Sequence, residues 1–490
     1  MDDRARAALD YHLRTRHAPH AYARALGWMD WDTQPDPFRR YVGAPVELLD
    51  REIDGGPAYD DVMEGRLPSP DGEPVARLFR DSLAISAWKE AGDARWALRV
   101  NPSSGNLHPT EGWLVNGDGV FHYNPFLHGL ERRAAMPGWG RLAGDLPPGA
   151  MLVGLTSIPW REAWKYGERA FRYCQHDLGH AIAGVTLAAN ALGWRARVLD
   201  GVPDAAIAAL LGIDGSGPEG EVPECLIAVW PGGDFPIAQA RHVRLPPPPT
   251  EWLGTANRLS GEHHEWPVIA EVEAATRKEA APWFEEEPPR RPGDTSRAAS
   301  FREIVHRRRS AVAMDGRTSI PREAFLRQMR RACRQPLPWA HTVDLAVFVH
   351  RVDGMEPGLY HLRRATGELA GVTTGDVRGL AGHVSCGQDI ASDGAYAVAM
   401  IADLDALLER WGAPFWRRVH WEAGAIGQVL YLEAEADGVR ATGIGCFFDD
   451  AAQQAARAGA RRPIYHFTVG GPVEDERLRT GAPYEHVERL

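Results

Sequence analysis

At 490 residues the chain exceeds the roughly 250–300 residues at which a single core stops growing, so two domains are expected. Hydrophobic residues make up 44% and charged residues 25%, which excludes a disordered or fibrous chain, and 55 Lys and Arg against 66 Asp and Glu give a net charge of −11, which excludes nucleic-acid binding driven by the overall field. No uncharged apolar run reaches membrane-spanning length, and the first thirty residues, with Arg4, Arg6, Arg14, Arg16 and Arg24, hold no signal-peptide core, so a cytoplasmic location without a membrane or nucleic-acid partner is expected.

In chain order, a Gly/Pro/Asp-rich stretch at 54–74 reads as an irregular surface insertion. The loop Asn101-Pro102-Ser103-Ser104-Gly105-Asn106-Leu107-His108-Pro109 comes next, in which small hydroxyl residues, a glycine and an amide offer donors to a planar polar ring or a phosphate; in isolation it is equally a turn and helix cap. Met151 to Leu155 is a strand. Arg161 to Tyr173 then carries Lys165 beside Tyr166, a pair that can relay protons from an aromatic pocket or simply lie on the surface. Apolar or small residues at 171, 174, 178, 182, 185, 189 and 192 predict a buried helix from Phe171 to Leu192, and Glu224 to Trp230 a further strand.

Two proline-rich stretches, 245–249 and 285–292, bracket a charged segment and mark a junction, giving domains at 1–245 and 295–490 with a linker segment at 246–294. Downstream, His306-Arg307-Arg308-Arg309-Ser310 ends a helix with clustered guanidinium groups suited to a phosphate monoester, although a solvated basic face is the commoner fate of such runs. Strands are predicted from Val343 to His350, Tyr396 to Ala402 and Ile464 to Val469, and a second long buried helix from Trp416. Gly443-Ile444-Gly445-Cys446-Phe447-Phe448-Asp449 lacks the spacing of a dinucleotide-binding fingerprint but permits close backbone approach to a ligand. The fold class is α+β.

A shift of 245 superposes the two long helices, and the segments downstream of each, without a gap: Asp177 on Glu422, Gly179 on Gly424, Gly193 on Gly438, Asp204 on Asp449. Helix, cap and following strand match together, which points to an internal duplication. Five scattered cysteines, never spaced Cys-x-x-Cys, suggest neither a disulfide framework nor a zinc cluster. His176 and His180 lie one turn apart with no third ligand nearby, so no metal is expected and they are assigned to packing or a cofactor pocket.

Together the segments 101–111, 164–180, 307–316 and 422–450 resemble the nitroreductase superfamily of FMN flavoproteins, and within it the azoline dehydrogenase branch of thiazole/oxazole-modified peptide biosynthesis. Members are typically homodimers whose FMN sites draw on both subunits. The resemblance therefore implies two fused nitroreductase-like domains forming an internal pseudo-dimer, with FMN held by Pro102, Ser103, Ser104 and Asn106 of the upstream half and by Arg308, Arg309, Ser310, Gly443, Ile444 and Gly445 of the downstream half. The complementary positions have diverged, to 334–341, Arg14 to His17 and Val198 to Gly201, so one composite site is expected to be competent and its symmetry mate degenerate. The resemblance also implies Lys165 and Tyr166 as the catalytic pair.

The expected activity is dehydrogenation of a peptide-derived azoline or similar small substrate, with other enzymes of a biosynthetic complex as possible partners. The alternatives are an NAD(P)H-dependent nitro, quinone or dehydroamino-acid reductase, and a non-catalytic scaffold of a biosynthetic complex.

Overall fold

The computed structural model describes residues 1–52, 55–69, 74–279, 297, 299–334, 337, 339 and 341–487. The upstream half contains a seven-stranded antiparallel sheet, ordered Val46–Leu48, Gly129–Ala134, Gly119–Asn124, Thr110–Asn116, Met151–Ser157, Val222–Trp230, Arg195–Val198. The downstream half repeats six of these positions: Glu368–Thr374, Gly358–Arg363, Asp344–Val349, Tyr396–Ala402, Arg462–Gly470, Arg440–Ile444.

The central strands are buried on both faces, and their alternation decides which core each residue joins. Met151, Val153 and Leu155 point into the same cluster as Tyr396, Val398 and Met400, whereas Leu152 packs into an outer core behind the first sheet and Ala397, Ala399 and Ile401 into another behind the second. One continuous core thus joins the two halves. The long helices Ala170–Ala191 and Phe415–Ala436 fill it, each buried along nearly its whole length.

The shift of 245 maps Met151–Ser157 onto Tyr396–Ala402 and Ala170–Ala191 onto Phe415–Ala436. The helices cross at the paired glycines. A Cβ on Gly179 would stand 2.3 Å from Trp421 O and 2.9 Å from Gly424 Cα, and one on Gly424 would stand 2.1 Å from His176 O and 2.9 Å from Gly179 Cα. These reciprocal contacts are those of an isologous interface, with a pseudo-twofold axis between the glycines. Ion pairs obey the same axis: Arg172 Nη1 to Asp449 Oδ1 at 2.8 Å, and Arg417 Nη1 to Asp204 Oδ2 at 3.0 Å.

Two expected boundaries meet more structure than their composition suggested. Within 54–74, helix Tyr59–Glu64 is pinned into the core, Tyr59 and Val62 packing with Phe301 and Ile304, and Tyr59 Oη donating to Glu433 at 2.7 Å; residues 54 and 70–73 lie outside the described residues. Within 246–294, Thr255–Ala256 pairs with Tyr41–Val42 and helix Pro267–Thr276 contributes Val268, Ile269 and Val272 to the shared core, while 280–294 lie outside the described residues. Among the described residues no helix is long and apolar enough to cross a membrane, and all five cysteines are free.

Candidate functional site

The upstream loop is held in place from below. Ser104 donates its backbone N–H and its hydroxyl to the Asp177 carboxylate, each at 3.0 Å, and Asp177 sits on the long helix near the crossing. Asn106 Nδ2 donates to Ala97 O at 2.9 Å, and Ser103 Oγ accepts from His108 N at 2.9 Å. Gly105, Asn106 and His108 all take left-handed backbone, with φ of 58°, 60° and 52°. At Gly105 the reason is close approach: a Cβ would stand 2.7 Å from Tyr166 Oη and 3.3 Å from Lys165 Nζ. The side chains expected to face a ligand are here engaged in shaping the loop, and the loop in turn is seated on the Lys165-Tyr166 pair.

Helix Phe301–Arg307, capped by Ser300, delivers the next three residues. Arg308 is buried; Nη2 donates to Arg99 O at 3.0 Å across the boundary between halves, while Nε and Nη1 have no hydrogen-bond partner. Burial lowers its guanidinium pKa from the usual value, with Arg440 adding repulsion. Arg309 beside it is pushed down to about 10 by burial and then by Arg308. Two adjacent guanidinium groups, one with two unanswered nitrogens, make a costly arrangement that an anion would relieve. Ser310 Oγ hydrogen-bonds Tyr431 Oη at 2.8 Å, and the same phenol oxygen accepts from Gly443 N at 3.0 Å.

The glycines of the downstream strand end make room for rings of the protein itself. A Cβ on Gly443 would stand 2.0 Å from Tyr465 Oη, and one on Gly445 would stand 2.2 Å from Tyr173 Cε1. Tyr173 comes from the upstream long helix, so Gly445 is a contact between halves.

Apart from Lys165, the groups of the loop, the arginine cluster and the glycine strand end line one cavity of about 620 Å3, within the range of small-molecule and cofactor sites, about 300–1,000 Å3. Pro102, Ser103, Ser104, Asn106 and Tyr166 reach it from the upstream half and Arg308, Arg309, Ser310, Gly443, Ile444 and Gly445 from the downstream half; Lys165 stands behind Gly105. Of the two helix histidines, His180 lines the cavity, and His176 is stacked on Tyr465 with ring centroids 4.2 Å apart. A second cavity, of about 750 Å3, lies against Val46–Leu48 and holds none of these residues.

Sequence reasoning passed over several wall residues, among them Arg99, Asp177, Tyr173 and Tyr465. Asp177 could have been found: the repeat pairs it with Glu422, and Glu422 performs the same task in the downstream half, accepting from Thr342 N at 3.0 Å. Sequence reasoning also passed over Glu162, which lies behind the wall, fully buried one turn before Lys165-Tyr166 and facing Asp177. Burial raises both carboxyls well above the ordinary range, the Glu162 oxygens having no hydrogen-bond partner and the Asp177 charge adding to the effect on Glu162, so the pair holds a proton at neutral pH. Burial, and then the Glu162 charge, also pushes the Tyr166 phenol up, so Tyr166 stays protonated.

The symmetry-related place has diverged. Asp200 stands where Gly445 does in the repeat and Arg418 where Tyr173 does, and the two form an ion pair, Arg418 Nε donating to Asp200 Oδ2 at 3.0 Å. A guanidinium and a carboxylate thus occupy what is a tyrosine-on-glycine contact in the open cavity. Of the diverged downstream stretch, 335, 336, 338 and 340 lie outside the described residues.

Comparison with known proteins adds three findings. Residues 89–233 match the nitroreductase family. Among curated proteins none matches the sequence. Among solved structures, a nitroreductase-type protein of Anabaena variabilis shares 21% identity and a TM-score of 0.73 over 95% of this chain and 99% of its own, so the whole two-half architecture recurs there. A Ralstonia eutropha protein of the same type (14% identity, TM-score 0.30, 41% of this chain and 95% of its own) and the E. coli microcin synthetase McbBCD complex with truncated pro-MccB17 bound (18%, 0.29, 48% and 95%) superpose on part of the chain, at scores too low to bear on its fold.

Proposed function

From a nitroreductase-family domain at residues 89–233 inside a duplicated fold, we propose that this chain is an FMN-dependent oxidoreductase with one composite cofactor site. The observation that carries the reading is Arg308: a buried guanidinium with two unpartnered nitrogens, in the wall of a cavity whose opposite contributions come from the other half of the repeat. Arg308 and Arg309 would hold the phosphate, and the loop Pro102–Asn106 with the strand end Gly443–Gly445 would flank the rest of the cofactor. When bound, FMN supplies acceptance or donation of a hydride.

The reaction we propose is dehydrogenation of a peptide-derived azoline or similar small substrate, in which a hydride and a proton leave adjacent atoms. The chain's own residues handle the proton. Tyr166, kept protonated by burial, would donate a hydrogen bond that positions the substrate in the cavity, with Lys165 beside it behind Gly105 as the second member of the proton-handling pair. The buried Glu162/Asp177 pair, with no net second charge at neutral pH, keeps the floor of the loop from attracting that proton away. The microcin synthetase similarity is compatible with a peptide substrate and neighbouring biosynthetic enzymes but lends it no weight.

The test is spectroscopic. The purified chain titrated with FMN should take up one equivalent, and anaerobic addition of a thiazoline- or oxazoline-containing peptide should bleach the yellow absorbance and yield a product lighter by two hydrogens. Bleaching by NAD(P)H with none by the azoline would reverse the proposed direction. Failure to bind FMN at all would remove the flavin reading.

A further inference from the structure

The strand end Gly443–Gly445 runs directly into Cys446, which lines the cavity and which the oxidoreductase reading leaves unused. Its sulfur interacts electrostatically with the Cys386 thiol and the His17 imidazole, and the segment carrying Cys386 is tied to it through Gln388, so residues from the chain's beginning, from a turn in the downstream half and from its last helix-bearing segment meet at one point. Both cysteines are partly exposed, unlike Cys174 and Cys225, which are sealed in the core.

The backbone around each partner is fixed. His17 forms a parallel bridge with Phe448, donates its N–H to Asp449 Oδ2 at 2.9 Å and accepts from Ala23 N at Nδ1 at 2.9 Å, so its proton sits on Nε2. Cys386 takes φ of 59°, a left-handed conformation that a residue with a side chain rarely adopts, beside Gly387 at 70°. One amide staples the two cysteine segments together: Gln388 Nε2 donates to Ser385 O at 2.7 Å and to Cys446 O at 3.1 Å. Arg169 Nη2 donates to Gly445 O at 3.1 Å and brings a permanent positive charge to the spot.

We propose that Cys446, in the cavity wall, and Cys386 behind it form a redox-active dithiol/disulfide couple, exchanging an electron pair with small-molecule disulfides and, through Cys446, with the cofactor. The electrostatics agree with the geometry. The Cys446 thiol is held well below the ordinary range, first by its interaction with Cys386 and against burial, with His17 and Arg169 adding to it; Cys386, through the same interaction, is raised and serves as the proton-bearing partner.

In the first direction the Cys446 thiolate attacks one sulfur of an oxidised disulfide such as glutathione disulfide, forming a mixed disulfide and expelling one thiolate. Cys386 then gives up its proton to that thiolate and attacks Cys446 Sγ, expelling the second thiolate, which is protonated from solvent. Two protein cysteines are oxidised to one disulfide, and one external disulfide is reduced to two thiols. The exchange with FMN rests on the flavin reading and involves the same two electrons: dithiol and oxidised flavin become disulfide and reduced flavin, with the protons of the thiols leaving to the flavin and solvent.

The experiment has two arms. Without FMN, the full chain is equilibrated in graded ratios of oxidised to reduced glutathione, quenched with iodoacetamide and mapped by mass. Wild type should lose two alkylatable thiols together and yield a Cys386–Cys446 cross-linked peptide, absent from Cys386→Ser and Cys446→Ser. Independent alkylation of both cysteines at every ratio, or a bridge that includes another cysteine, would overturn the proposal. In the second arm the FMN-loaded, reduced chain should show a broad long-wavelength absorbance from thiolate against flavin that Cys446→Ser lacks; its absence in wild type would overturn the exchange with the cofactor. Failure to bind FMN leaves the first arm intact, so the two readings fail separately.

Discussion

Arg308 is the residue on which binding turns. Its guanidinium is buried without a carboxylate answering Nε and Nη1, so the fold carries it at a cost that only a ligand relieves. Arg308→Met should leave the ligand-free protein's stability within about 1 kcal/mol of wild type, since it removes one hydrogen bond to Arg99 O and one unanswered charge. FMN affinity should fall roughly 10- to 100-fold, the equivalent of a charge-assisted hydrogen bond or two, as read by fluorescence titration. Glu162 gives a pH signature. Burial pushes the Asp177 carboxyl it faces up to about 8 and Glu162 well above the ordinary range, whereas an unfolded carboxylate releases its proton near pH ~4. In that window the native state holds more protons than the unfolded state, so this pair's contribution to stability declines as pH rises. Glu162→Gln, which cannot ionise, should flatten the decline in denaturant melts between these limits; an unchanged slope would show that the pair is not protonated. The guanidinium cluster at Arg308 was conspicuous in the sequence, but a solvated face and a buried anion site share that local pattern, and only the packing shows that Arg308 is buried. Tyr173 and Tyr465 were not legible, because nothing in a tyrosine's local sequence says that its ring will fill the space over a glycine in another element.

At the scale of elements, helix periodicity and the capping glycines placed both long helices, and alternation placed the central strands, since those patterns are imposed by the geometry of each element alone. The glycines Gly179 and Gly424 were legible as a repeated pair, but their purpose is seen only where the two helices meet. Gly179→Ala would drive a methyl group to 2.3 Å from the Trp421 carbonyl, which rigid backbone cannot yield to. The expected cost is about 3 kcal/mol or more, at the upper end of overpacking in a core, measured as a loss of unfolding free energy; an effect within about 0.5 kcal/mol would mean that the helices do not cross there. The helix Tyr59–Glu64 within the 54–74 stretch escaped sequence reading because its surroundings are rich in Gly, Pro and Asp, and only long-range packing against Phe301 and Ile304 makes it part of the core.

For the whole molecule, the duplication has left an open cavity on one side of the axis and a diverged place on the other. There the Asp200–Arg418 ion pair replaces the Gly445–Tyr173 contact, so isothermal titration should give one FMN per chain; two equivalents would show that the second place also binds. Because a single core and the Arg172–Asp449 and Arg417–Asp204 pairs join the halves, calorimetry should show one cooperative transition, with neither half folding alone. The sequence by itself determined the element types, the repeat with its shift of 245 and the chemical character of the loop and the arginines, all of which derive from local periodicity and side-chain type. Only the tertiary structure decided which of these meet: that Ser104 answers to Asp177, that Arg308 reaches Arg99 across the halves, and that Cys386 and Cys446 stand together near His17. Such pairings depend on how two sheets and two helices pack about an axis, and residues hundreds of positions apart carry no local signal that they will touch.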